Sequence, residues 1–345
     1  MVTVVHPLHA IVASTGIVLI AIGYALITAD YNTDISKQYQ RINTLPKKYA
    51  DTPLGKIEYM DYGEGQPVLL VHGVVGGCDH SLDISKTFFG EGYRIIAVSR
   101  FGYLGSPVPV NSSPSMQSDL YAALLDALSI KKVIIAGFSA GGPSTLQFAL
   151  RHQNRCSSVI LISMAVPPYK APGRVPRWVM KNFFGSDFIF WLLIKYLPSI
   201  VLKLMGTPYA VQKKLTVSEA IWHEELMWKL LPVHARTSGI INDVCITNPD
   251  LNNGYPVEKI KLRTLVFHAK DDPMPPFNVA KQIAAKIPNA RFVKITSGGH
   301  LLLGHHTEVQ KTIRGFVDES RAKQQVLAAG EPKTMQEQKN IHLYE

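Results

Sequence analysis

Seven short runs of apolar or alternating residues recur between positions 56 and 295, and they constrain the fold more than any other feature. Residues 56–62 (KIEYMDY) alternate like a half-exposed strand. Residues 68–71 (VLLV), 94–98 (RIIAV), 133–136 (VIIA), 159–162 (VILI), 264–267 (TLVF) and 292–295 (FVKI) are mostly continuous, as strands are when both faces of a sheet are covered. Amphipathic stretches at helical spacing, 116–128 and 279–287 among them, separate most of these runs. Strand and helix in repetition predict an α/β domain whose parallel sheet carries helices on both faces.

The alternation breaks once, over residues 165–256, where aromatics and prolines accumulate. Residues 188–206 (FIFWLLIKYLPSIVLKLMG) resemble a membrane span, but Lys195, Pro198 and Lys203 interrupt them. Two short amphipathic helices of an inserted cap are the expectation. Near the N-terminus, residues 2–29 contain no Asp, Glu, Lys or Arg, and 10–29 (AIVASTGIVLIAIGYALITA) are almost wholly apolar. About 20 such residues in a helix span a hydrocarbon core of about 30 Å. A cleaved signal peptide is the competing reading, but no basic residues precede the run and Ile27 stands where a small residue is wanted. The expected organisation is therefore a transmembrane anchor over 1–30, a polar linker over 31–52, a core over 53–164 and 257–320, a helical cap over 165–256, and a polar tail over 321–345. Lys37, Arg41, Lys47 and Lys48 follow the anchor and none precedes it, which places the catalytic domain in the cytoplasm.

A chain of 345 residues buries a core without disulfides, and its three cysteines, Cys78, Cys156 and Cys245, show no metal-binding spacing. They read as buried thiols. The formal charge of +10 is scattered and accompanied by no nucleic-acid motif, so a membrane surface is the expected partner and nucleic acid is not.

Residues 137–142 (GFSAGG) lie between an apolar run and a helical segment. A serine on such a turn has its hydroxyl pushed above the carboxyl edge of the sheet, and small neighbours allow the turn. Ser139 is thus a candidate nucleophile; the plainer reading is a serine that caps the helix. A serine needs a base, and the base needs an orienting group. The loop FHAKDDPMPP (267–276) brings Asp271 and Asp272 to the same edge, and TSGGHLLLGHH (296–306) brings His300. Backbone N–H groups in VHGVVGG (71–77) and at Ala140 are placed to meet a developing oxyanion.

With these blocks in order, and with SRFGYLGS (99–106) between them, residues 53–317 resemble a cap-bearing α/β-hydrolase. The resemblance implies Ser139 as nucleophile, His300 as general base and acid, and Asp272, four residues before Pro276, as orienting acid. It also implies an oxyanion hole from the main-chain N–H groups of Val74 and Ala140. Many members have an aspartate where this chain has Ser99. No metal or organic cofactor is called for. The expected reaction is acyl transfer from a lipophilic carboxylic ester, the cap choosing the substrate through Phe183, Phe184, Phe188, Phe190, Trp191, Tyr196, Trp222 and Trp228, unless these only fill the cap's own core. A peptidase or C–C bond hydrolase would keep the same triad. A non-catalytic ligand-binding protein on this fold would typically lose one member.

Overall fold

A computed structural model describes residues 7–169 and 175–330. The first six residues of the expected anchor, five residues of the cap and the last fifteen of the tail lie outside it. The chain opens with α1 (Pro7–Thr44), then β1 (Lys48–Thr52), β2 (Gly55–Tyr62), β3 (Gln66–Val71), α2 (Cys78–Phe88) and β4 (Tyr93–Val98). Next come α3 (Pro114–Ala127), β5 (Val133–Phe138), α4 (Gly142–Arg151) and β6 (Cys156–Ile162). The cap holds α5 (Arg177–Phe184), α6 (Asp187–Tyr196), α7 (Pro198–Leu204), α8 (Tyr209–Gln212), α9 (Val217–Trp228) and α10 (Thr237–Asn242). The core resumes with β7 (Thr264–Ala269), α11 (Phe277–Lys286), β8 (Ala290–Ile295) and α12 (His306–Gly330).

The eight strands form one sheet in the order β1-β2-β4-β3-β5-β6-β7-β8, antiparallel at β1/β2 and β2/β4 and parallel elsewhere. Side chains alternate faces along a strand, and the core divides accordingly. Leu69, Val71, Ile96, Val98, Val133 and Ile135 face α3, α4 and α11, while Val68, Leu70, Ile95, Ala97, Ile134 and Ala136 face α2 and α12. All six residues of β5 are buried, which is why its run reads as continuous in the sequence. Helix α3 begins where Ser113 accepts from the Met116 N–H at 3.1 Å and Pro114 takes the first position, where a missing N–H leaves no bond unmade.

Residues 31–52 are not a linker. Helix α1 continues without a break to Thr44, and 48–52 form the edge strand β1, paired with β2. Polar composition hid the helix, whose Tyr31, Ile35 and Ile42 are the side that packs inward. Ile35 joins Trp191, Ile194, Val201, Met227, Leu230 and Leu231 in one apolar cluster, so α1 completes the core of the cap. The preceding part of α1 is long and apolar enough to cross a membrane, and its apolar side chains from Ile17 to Ile27 are mostly exposed. In the cap, 188–206 do form two helices, α6 and α7, broken at Pro198. Cys78 and Cys156 are buried as expected, whereas Cys245 is only half-buried.

Candidate active site

Ser139 stands at the end of β5 with φ of 50°, in the left-handed region that side-chain-bearing residues avoid. The turn is possible because Gly137 and Gly141, two residues to either side, lack side chains. A Cβ at Gly137 would lie 2.3 Å from Thr145 Oγ1, and one at Gly141 would lie 2.6 Å from the Val71 carbonyl oxygen. The helix that follows starts at once, the Gly142 N–H returning to the Ser139 carbonyl.

The two aspartates of the β7 loop divide their tasks. Asp272 is buried and accepts from the Met274 N–H at 2.9 Å through Oδ1, while its Oδ2 lies 2.8 Å from His300 Nδ1. A carboxylate at Nδ1 makes that nitrogen the donor and leaves Nε2 for other partners. Asp271 instead accepts from the N–H groups of Gly298 and Gly299 at 3.2 and 3.0 Å, so it shapes the loop that carries His300. The same loop is held from above by the cap: the His300 N–H donates to the Gly206 carbonyl at 2.9 Å, and a Cβ on Gly206 would sit 2.4 Å from His300 Cβ. His268 lies 3.7 Å from Asp272, donates through Nε2 to the Pro275 carbonyl, and is pushed below its ordinary pKa chiefly by burial.

The loop after β3 is anchored by groups whose roles the sequence did not reveal. The Arg100 N–H donates to His72 Nε2 at 3.0 Å, so the proton of His72 resides on Nδ1 and donates to the Gly73 carbonyl at 2.7 Å. Burial, with the Arg100 guanidinium beside it, holds His72 well below its ordinary pKa, in keeping with that neutral tautomer. Arg100 also donates to the Gly73 carbonyl at 3.1 Å and pairs with Asp243 of the cap through two bonds at 2.6 and 2.5 Å. In a trans peptide the N–H points opposite to the carbonyl. With the Gly73 oxygen held from both sides, the Val74 N–H is turned away from His72 and Arg100. Val75 follows at φ 59°, an uncommon conformation for a β-branched residue, in a turn closed by the Gly76 N–H on the Gly73 carbonyl.

Ser99, at the position where the family resemblance leads one to expect an aspartate, is joined to a carboxylate from a neighbouring strand. Ser99 accepts from the Cys78 N–H and donates to Glu58, whose buried carboxylate also takes the Tyr49 hydroxyl at 2.9 Å. Glu58 supplies from β2 the carboxylate that Ser99 lacks.

Ser139, His300, Val74 and the cap enclose one cavity of about 460 Å³. Phe183, Phe184, Phe190 and Trp222 line it; Trp191 and Trp228 pack into the cap's own cluster, and Phe188 and Tyr196 are exposed. Four of the eight expected aromatics therefore line the cavity, two fill the cap's core and two do neither. The described lining includes no Lys or Arg.

A family description, alpha/beta hydrolase fold, matches residues 66–307. The chain belongs to the α/β-hydrolase fold family. It is 27% identical over 250 residues to the AB hydrolase superfamily protein YisY of Bacillus subtilis, a match covering 70% of this chain and 87% of that one. It is 24% identical to a 2-hydroxy-6-oxononadienedioate/2-hydroxy-6-oxononatrienedioate hydrolase of Comamonas testosteroni, over 73% of this chain and 87% of that one. A solved α/β-hydrolase fold protein from Nakamurella multipartita superposes with a TM-score of 0.66 at 25% identity, covering 78% of this chain and 98% of the other. This α/β-hydrolase thus shares its architecture with hydrolases of several kinds, and the contents of its own cavity must distinguish among them.

Proposed function

We propose that the protein is a membrane-anchored serine hydrolase that cleaves a lipophilic carboxylic ester through an acyl-enzyme intermediate. The observation that carries this reading is the Asp272–His300 pair, closed at 2.8 Å, on a cavity that also holds the strained Ser139 and is otherwise lined almost wholly by apolar side chains. His300 Nε2 takes the proton of Ser139 as Oγ attacks the ester carbonyl, and Asp272 stabilises the imidazolium that forms. The N–H groups of Val74 and Ala140 receive the developing oxyanion. His300 then protonates the departing alcohol, and water, deprotonated by the same histidine, releases the acid and frees the serine.

A second reading, C–C bond hydrolysis, is favoured by the Comamonas relative. The substrates in that relative's name are dicarboxylates, which call for a cation in the pocket. The described lining offers none, and Arg100 and Arg236 near it are committed to Asp243 and Asp79. An uncharged, lipophilic ester suits the cavity better.

The membrane reading rests on the exposed apolar half of α1. Helix α1 runs without a break from the apolar run into the part that packs on the cap, which supports an uncleaved anchor over a signal peptide. We place the catalytic domain on the cytoplasmic side, following Lys37, Arg41, Lys47 and Lys48 after the apolar run. The test is labelling of the membrane-extracted chain by a serine-directed fluorophosphonate beside Ser139→Ala, followed by nitrophenyl esters of increasing chain length. Labelling that disappears in the variant, with turnover rising toward longer acyl chains, is expected. A folded wild-type chain that neither labels nor turns over any ester would overturn the proposal.

A further inference from the structure

Three observations concern the two helices that roof the cavity. First, α6 runs antiparallel to α1 in a fixed register. Asp187 accepts from the Tyr39 hydroxyl at 2.9 Å, Trp191 Nε1 donates to Asp34 at 3.0 Å, and Lys195 Nζ reaches Asp30 at 2.5 Å and Asp34 at 2.9 Å. Tyr31 sets its ring edge against Phe188 and Trp191 at 5.2 and 5.5 Å. Eight residues of α6 rise about 12 Å and nine of α1 about 14 Å, so the two helices keep level, and the end of α6 at Tyr196 stands beside residues 28–29 of α1. Those residues close the apolar run that fills a hydrocarbon core.

Second, the turn beyond that level is apolar and uncovered. Tyr196, Leu197 and Ile200 are 55%, 45% and 41% exposed, and Leu204 at the end of α7 is 66% exposed. Third, the inner sides of the same helices line the cavity, through Phe190 and Leu193 on α6 and Val201 and Leu204 on α7. Charge agrees: residues 165–229 carry nine Lys or Arg against four Asp or Glu, which suits an anionic lipid surface.

We propose that the α6–α7 turn, residues 196–200, enters the bilayer beside α1 as a second membrane contact, and that the lipophilic substrate passes from lipid into the cavity by way of Leu204. The proposal rests on the anchor reading above. The occupant of this surface is lipid, because the surface continues the exposed apolar side of α1 at the same level. Leu204 is both cavity lining and exposed, so one helix separates the cavity from lipid. A substrate delivered this way need not cross water.

The test uses the full chain in vesicles of phosphatidylcholine with phosphatidylglycerol. An environment-sensitive dye is placed at Leu197→Cys in a Cys245→Ser background, with Glu64→Cys as control, since the turn at residues 63–65 lies at the opposite edge of the sheet. The expected result is a blue shift at 197 with loss of emission to shallow spin-labelled lipids, and neither at 64. A water-like signal at 197 in a chain that resists carbonate extraction overturns the proposal and leaves the anchor reading standing. A chain that carbonate washes from the vesicles fails the anchor reading itself. A blue shift that spin-labelled lipid does not quench, and that fades on dilution, assigns the surface to a second copy of the chain and also overturns the proposal. In a second arm, Leu197→Asp with Ile200→Asp should raise KM about tenfold for an ester dissolved in the vesicle and leave that for a short soluble ester unchanged. An equal effect on both esters contradicts entry from lipid.

Discussion

The proposed catalytic edge of the sheet and the junction of α1 with the cap are both polar and both close to the cavity, yet they are built in different ways. At the catalytic edge each functional group sits in a loop that directly continues a strand: Ser139 after β5, Asp272 after β7, His300 after β8. At the junction the partners come from distant parts of the chain. Asp79 at the start of α2 binds Arg236 of the cap at 2.7 Å and Arg41 of α1 at 2.9 Å, joining three regions through one carboxylate. Burial pushes its pKa up, but the two guanidiniums outweigh that and hold it well below the ordinary carboxylate range. The first region is local chemistry on a rigid frame. The second is a set of long-range ion pairs that fixes how the cap sits over that chemistry.

This contrast predicts that substitutions at the edge remove activity and spare stability, that those at the α1 junction cost stability and spare activity, and that the Arg100–Asp243 pair, which ties the cap to the loop after β3, affects both. The largest effect belongs to Ser139→Ala. It should lower kcat by about 10⁴ to 10⁶, with the melting temperature little changed, because alanine keeps the Cβ and with it the strain of the left-handed φ of 50°. A variant that melts well below wild type would show Ser139 to be a packing residue and erase the distinction.

Next in size is Asp243→Ala, which leaves the buried Arg100 charge unpaired and frees the Tyr103 hydroxyl that donates to the same carboxylate at 2.5 Å. Breaking a buried pair of this kind costs about 3–5 kcal/mol. Urea unfolding followed by tryptophan fluorescence should read it. Because Arg100 also holds the Gly73 carbonyl, kcat should fall too, with KM less affected. Loss of stability with full kcat would mean that the Val74 peptide does not depend on this pair.

The difference between the regions also explains what was legible in the sequence. Ser139, Asp272 and His300 announced themselves because small residues, prolines and apolar runs flank each one within a few positions. Arg100 lies inside the SRFGYLGS segment, but its partner Asp243 lies 143 residues away in a stretch with no pattern of its own. Asp34 and Trp191 are likewise separated by 157 residues. Such pairs leave no periodic trace. Residues 31–44 misled because their inward side is only Tyr31, Ile35 and Ile42 among charges, and β1 because an edge strand is half exposed and too short to alternate clearly.

Two buried histidines, His80 at the cavity and His223 within the cap, sharpen the comparison by pH. His80 and His223 are each lowered from an ordinary 6.5 to about 4, chiefly by burial. Above pH 6.5 both states are neutral and neither group alters stability. Between pH 6.5 and 4 the unfolded chain takes up protons that the folded chain refuses, so stability falls as pH falls, by up to about 3 kcal/mol per group. Urea unfolding at pH 7 and pH 4.5 should show this, and His80→Gln should reduce the slope. An unchanged slope would mean that His80 reaches solvent through the cavity.

The smallest effect is expected where the junction meets water. Lys195 bonds Asp30 and Asp34 and lies 5.2 Å from the centre of the Trp191 ring, but it and Asp30 are partly exposed. Pairs in that setting contribute about 0.2–1 kcal/mol, far below the buried Arg100–Asp243 pair. Lys195→Met keeps the apolar stem over Trp191, so the loss is confined to the charge, and it should shrink further in 1 M salt. Removing the lysine also leaves two aspartates four residues apart on one side of α1, a like-charge pair that adds a few tenths of a kcal/mol. Urea unfolding of Lys195→Met beside Asp243→Ala, in the same detergent, places the two on one scale. Equal losses would mean that lipid or detergent covers Lys195 and turns a surface pair into a buried one, which is the condition the α6–α7 turn would meet at the edge of a bilayer.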